Sequence, residues 1–103
     1  MKVTKNVLFS SALMTGALLV LPMSASADLG QETYAANCAM CHDSGLADAP
    51  VLGDAAAWAS RLEAGTDALV ASVIDGKGGM PPQGHVGEDA VKASVQYMID
   101  QAK

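Results

Sequence analysis

The two cysteines of this 103-residue chain stand three apart and run straight into a histidine, as Cys38-Ala39-Met40-Cys41-His42. Two thiols and an imidazole then share five consecutive residues. The rest of the chain offers little else to hold a fold together. From Asp28 to the end there are 76 residues, of which 36 are apolar, and 15 of those are alanine. Alanine buries little area, and domains of this size are marginal unless a disulfide, a metal or a cofactor adds to the core. The cysteine-histidine turn is therefore where a staple has to be sought.

The first 27 residues read differently. Lys2 and Lys5 give a positive start, and no charge follows from Asn6 to Ala27. The stretch Ala12 to Leu21 is almost wholly apolar or small, Pro22 breaks it, and Ala25-Ser26-Ala27 supplies a small-x-small site. This pattern predicts a secretory signal peptide over 1–27, cleaved after Ala27, and one domain over 28–103. An uncleaved anchor is the alternative, because the uncharged run is long enough to span a bilayer. The whole chain carries a net charge of −5, and residues 28–103 carry −7. With no cluster of Lys and Arg and four aromatic residues in all, a nucleic-acid interface is excluded.

No alternating run marks a strand, and glycines and prolines divide the chain into helical pieces. Asp28, with Gln31 three residues on, is the expected N-cap of a helix over Leu29–Cys41. A turn-rich loop follows over Asp43–Gly53. Asp54 is the expected cap of a second helix, Ala55–Ala64, stopped by Gly65. Thr66 or Asp67 would cap a third, ending before Gly76. The segment from Gly76 to Gly87 holds five glycines and two prolines and is read as non-helical. The last helix is expected over Glu88–Ala102, with acids at its positive end. Val91, Val95 and Met98 form its buried stripe. The fold class is all-α.

The spacing C-x-x-C-H is the signature of covalent haem attachment. Cysteines at i and i+3 project from one side of a helical turn, so their sulfurs can add to the two vinyl groups on one haem edge. His42 is then carried beneath the porphyrin, where Nε2 can bind iron. Three rivals use the same residues. A thioredoxin-like pair needs a preceding strand, and none is visible. A Cys38–Cys41 disulfide would close a tiny loop and staple almost nothing. A zinc site would recruit Cys38, Cys41, His42 and His85.

A haem with one histidine ligand leaves its sixth position to be filled. Met40 lies between the cysteines, and Met98 sits on the apolar stripe of the last helix. Met80 stands in Gly78-Gly79-Met80-Pro81-Pro82, 38 residues past His42. Glycines allow a backbone to lie close to a flat ring, and prolines stiffen a loop without needing amide partners. Met80 is thus the candidate second metal ligand beside His42. If it is not bound, the iron has an open sixth site, and the chain becomes a ligand sensor or a weak peroxidase.

These features together resemble a class I c-type cytochrome, most closely the cytochrome c-five type. The matching residues are Tyr34 before the haem motif, Ala49-Pro50-Val51-Leu52-Gly53-Asp54, Trp58, Arg61, Lys77-Gly78-Gly79-Met80-Pro81-Pro82 and Tyr97-Met98. The resemblance implies a small cytochrome c fold, about four short helices around one covalent haem c. It implies that the Pro50 carbonyl accepts from Nδ1 of the axial His42. It also implies that Trp58 and Arg61 lie near the haem propionates, where their N–H groups would suit a carboxylate. Gly30 and Tyr34 match a glycine-aromatic contact through which the first and last helices cross, with Tyr97 and Met98 opposite. Many members carry a second cysteine pair after the methionine loop, and Gln83–Asp89 has none. The implied function is reversible one-electron transfer in the periplasm, by a monomer and not an enzyme. The implied partners are a membrane quinol-oxidising complex and a terminal oxidase or reductase, with the membrane reached only through them.

Overall fold

The computed structural model describes residues 24–103. They form five helices: α1 (Ser24–Asn37), α2 (Ala39–His42), α3 (Ala55–Leu62), α4 (Thr66–Asp75) and α5 (Glu88–Gln101). Single 3-10 turns occupy Leu46–Asp48 and Gly84–Val86. Among the described residues there is no strand, only a lone bridge between Lys77 and Met80. The all-α expectation holds.

The first helix begins earlier than expected. Asp28 is not its cap, because Ser24–Ala27 are already helical. No helix breaker stands between Ser24 and Asp28, so nothing in that segment stops a helix short of Asp28. The expected cleavage point after Ala27 falls within this helix. Lys2, Lys5 and the apolar run lie outside the described residues. The helix expected to continue to Cys41 is interrupted at Cys38, where φ is −115° and ψ −32°. Backbone hydrogen bonding crosses the break, since Cys38 N–H donates to Tyr34 O at 2.8 Å and His42 N–H to Cys38 O at 3.0 Å.

Two of the other expected caps differ in outcome. Asp54 caps α3, accepting from Ala57 N–H at 3.2 Å. Neither Thr66 nor Asp67 caps α4. Gly65, at φ +88°, takes that position, and its carbonyl accepts from Leu69 N–H at 3.2 Å. Asp67 is left in the first turn, where its charge faces the helix's positive end.

Helix α5 organises the interior. Val91, Val95 and Met98 are buried as their spacing predicts. Met98 and Ala102 join Tyr34 and Trp58 in one cluster, against which Cys38, Leu52 and Tyr97 pack. Val91 and Val95 join Val70 in a second, flanked by Leu69, Val73 and Ile74. The same helix thus carries both halves of the core. Ser94 is buried between them, its hydroxyl donating to Val91 O at 2.9 Å.

Helix α1 lies across α5, the most extensive helix pair among the described elements. Gly30 makes the approach possible. A Cβ there would overlap the Ala93 carbonyl oxygen and come within 3.1 Å of Tyr97 Cβ. Tyr34, one turn on, packs its ring against Tyr97 with centroids 5.4 Å apart. Because the obstacle to a side chain at Gly30 is backbone, Gly30→Ala should force the helices apart. We expect a loss of about 1–3 kcal/mol, read as a fall in melting temperature of the holoprotein of roughly 4–8 °C per kcal/mol.

Candidate haem centre

The attachment turn grows directly out of α1. The Cys38 carbonyl accepts from both Cys41 N–H at 3.3 Å and His42 N–H at 3.0 Å, which winds residues 38–42 into one turn. Both thiols are free and half-buried. Burial pushes the Cys38 thiol above its ordinary pKa, partly offset by Ser94, whose hydroxyl favours the thiolate. Cys38 packs on the Tyr34 cluster, so one attachment point is continuous with the core.

His42 is fixed by two bonds to the loop that follows it. Its Nδ1 lies 2.8 Å from Pro50 O. A carbonyl only accepts, so Nδ1 carries the proton and Nε2 keeps its lone pair for a metal. The His42 carbonyl in turn accepts from Leu52 N–H at 2.8 Å. Ring and main chain are therefore gripped by the same three-residue segment, Pro50–Leu52.

The Trp58 indole N–H donates to Val51 O at 2.9 Å. The ring is buried, 6.0 Å from the His42 imidazole between centroids. Trp58 thus holds the strip of backbone that supplies Pro50 O, a supporting part that the Trp58–Arg61 spacing does not reveal. Arg61 is exposed, and its Nη1 donates to Ala57 O one turn back on the same helix. The structure does not bring the Trp58 and Arg61 donors together toward a shared acceptor.

Asp43 was missed by sequence reasoning. The buried Tyr34 hydroxyl donates to its Oδ1, joining α1 to the residue just after His42. The pair brackets the attachment turn, but a spacing of nine residues matches no helical or strand period that would have flagged it. Burial, and then the Asp43 carboxylate, hold the Tyr34 phenol well above its ordinary pKa.

Met80 closes a tight reverse turn. Lys77 N–H donates to Met80 O and Met80 N–H to Lys77 O, each at 2.9 Å. Gly78, at φ +56°, supplies a left-handed corner. At Gly76 a Cβ would come within 2.9 Å of Pro82 Cδ and N, which fixes the entry to the turn. Met80 is half-buried, and His85 is exposed in the following 3-10 turn. Among the described residues no three His, Cys, Asp or Glu side chains gather as a metal cage, so the four-ligand zinc arrangement through His85 is not assembled.

The donor set fits haem c. Two free thiols three residues apart share a turn with an imidazole whose Nδ1 is tied down and whose Nε2 is unused. Residues 25–98 match the family described as cytochrome c oxidase, cbb3-type, subunit III. Cytochrome c-555 of Chlorobaculum tepidum is 40% identical over 92% of this chain and 97% of its own. Cytochrome c5 of Azotobacter vinelandii is 39% identical over 67% of this chain and 89% of its own. A cytochrome c solved in an electron-transfer complex with nitrite reductase superposes with a TM-score of 0.70. It is 48% identical and matches 73% of this chain and 95% of its own. The chain belongs to the class I c-type cytochromes. It is an electron-transfer protein that binds covalent haem c, and it is not an enzyme.

The Tyr34–Asp43 bond has a pH signature. In the unfolded chain the phenol ionises at about pH 10, whereas the folded protein keeps its proton to higher pH. Stability from this group is complete below about pH 10 and is lost as pH rises above it. Denaturant unfolding at pH 9 and pH 11 should show that fall in the parent protein. Tyr34→Phe should remove this contribution and lessen the pH dependence.

Proposed function

We propose that this chain is an exported, monomeric electron carrier whose haem iron is held by His42 and Met80. The observation that carries the reading is the His42 Nδ1 to Pro50 O bond on the same turn as two free thiols. Haem c, when bound, supplies a reversible Fe(II)/Fe(III) change. The chain's own residues do the rest. Cys38 and Cys41 anchor the group as thioethers. Pro50 O holds the Nδ1 proton of His42, fixing the ring and raising the basicity of Nε2. Met80 offers a soft thioether, which favours the reduced state and raises the potential. Trp58 supports Pro50 through Val51. Arg61 is the side-chain donor that the family resemblance implies for a haem propionate.

Destination and partners follow from the same reading. The positive start, the apolar run and Ala25-Ser26-Ala27 support export to the periplasm with cleavage after Ala27. Intact-mass measurement of the purified holoprotein should give a chain beginning at Asp28. A mass retaining Lys2 and Lys5 would instead support the anchored form. The relative solved with nitrite reductase supports a terminal reductase among the acceptors, and the family resemblance implies a membrane quinol-oxidising complex as donor. A charge of −7 over residues 28–103 favours partners with a basic docking face.

Met80→Ala tests the ligand set against the open-site reading. We expect the weak red-end sulfur-to-iron band to vanish, the potential to fall, and carbon monoxide or imidazole to bind faster. Met98→Ala should keep a low-spin spectrum while folded and cost about 2–5 kcal/mol of stability as a buried side chain is lost. An unchanged band and potential in Met80→Ala would assign the sulfur ligand to another methionine, whereas a parent protein without the band would support the open-site alternative.

A further inference from the structure

Ala47 and Asp48 are the non-glycine residues with positive φ among those described, at +54° and +63°. Aspartate visits this region with some ease, but alanine does not, because its Cβ crowds the following carbonyl. Ala47 is nonetheless exposed, in the turn Leu46–Asp48, five residues after His42. A surface position with this backbone is one where glycine would be free of strain. That alanine stands there implies a use for its Cβ.

The Cβ meets Gly79. A Cβ built on Gly79 would lie 3.0 Å from Ala47 Cβ and 3.4 Å from Ala47 O. Ordinary carbon-carbon contact is about 3.5–4.0 Å, so the pair tolerates one methyl group and not two. Gly79 is not in the positive-φ region, so no left-handed backbone demands a glycine there.

Each side of the contact is stiff. The Ala47 side is tied to the attachment turn by Gly45 N–H to Cys41 O at 2.9 Å, Ala49 N–H to Leu46 O at 3.1 Å and Leu52 N–H to His42 O at 2.8 Å. The Gly79 side is closed by the Lys77–Met80 pair at 2.9 Å and anchored by Gln83 N–H to Val73 O at 2.8 Å. The contact therefore couples the loop carrying His42 to the residue immediately before Met80.

We propose that Ala47 and Gly79 form a latch between the two ligand-bearing loops, making both positioning residues for Met80. The inference rests on Met80 being the sixth ligand. Strained backbone is kept at functional sites when the surroundings over-determine it, and here the strain presents a methyl group to the methionine loop. With the latch closed, the methionine loop cannot swing away without breaking the contact, so the thioether is held in place.

The test is a double-mutant cycle on the ferric holoprotein, read by the sulfur-to-iron band, the midpoint potential and the rate of imidazole binding. Gly79→Ala adds the second methyl. It should weaken the band, lower the potential and speed imidazole binding about tenfold, the effect of a barrier lowered by about 1.4 kcal/mol. Ala47→Gly removes the first methyl and relieves the backbone strain. It should keep or raise thermal stability while speeding imidazole binding. The double variant Ala47→Gly/Gly79→Ala restores one methyl to the gap from the other side, and should return all three readouts toward the parent. Parental behaviour of Gly79→Ala, or failure of the double variant to recover while helical content is intact, overturns the latch and leaves the Met80 assignment standing. Absence of the sulfur band in the parent protein overturns the Met80 assignment and the latch with it.

Discussion

The hydrogen bond from His42 Nδ1–H to Pro50 O decides the chemistry of the centre, because it leaves Nε2 as the unprotonated nitrogen. It is not an isolated contact. Leu52 N–H closes the same loop onto the His42 carbonyl, and Trp58 N–H holds Val51 O between them. Three successive residues, Pro50 to Leu52, each contribute a main-chain group to one network. Trp58 is itself placed by α3, whose first turn is capped by Asp54, two residues beyond Leu52. A local cap thus sets a helix, the helix sets an indole, and the indole sets the backbone that orients the imidazole.

The other end of the turn is fixed from α1. Gly30 brings α1 and α5 together closely enough for Tyr34 to be buried beside Tyr97 and Met98. From there Tyr34 reaches across to Asp43. The five residues from Cys38 to His42 are consequently held at both ends, by the Tyr34–Asp43 bond and by the Pro50–Leu52 strip. Each grip depends on a buried aromatic donor whose polar atom is satisfied, which is the condition for burying such a group without penalty. No buried side-chain polar atom among the described residues lacks a partner.

Where the sequence was legible, the physics was local. The Asp54 cap and the Val91-Val95-Met98 stripe each follow from a few adjacent residues, and each is present, whereas α3 ends at Leu62, two residues short of the stop expected at Gly65. The start of α1 and the cap of α4 went differently, because competing signals stood side by side. Asp28 had the better capping pattern, but the uninterrupted Ser24–Ala27 segment extended the helix past it. Thr66 and Asp67 had capping side chains, but Gly65 had the backbone. Trp58 and Arg61 show a further boundary. Helical spacing placed them on one face of α3, yet the partner of the indole N–H was a carbonyl in the preceding loop. Residue spacing reports which side chains share a face. It does not report what a loop folds back to offer them.

The division of the core bears on the cysteine-histidine turn. Val70, Val91 and Val95 make a purely aliphatic cluster that docks α4 on α5. The Tyr34-Trp58-Met98-Ala102 cluster is the one Cys38 touches, and it contains both aromatic donors that hold the attachment turn. A group bonded through Cys38 is therefore joined to the cluster that orients His42. In a chain this poor in large apolar side chains, that arrangement makes one set of contacts serve both stability and ligand geometry. Removing the Tyr34 or Trp58 donor should thus alter the centre before it unfolds the protein, whereas truncating Met98 should cost stability while the folded state keeps its low-spin spectrum.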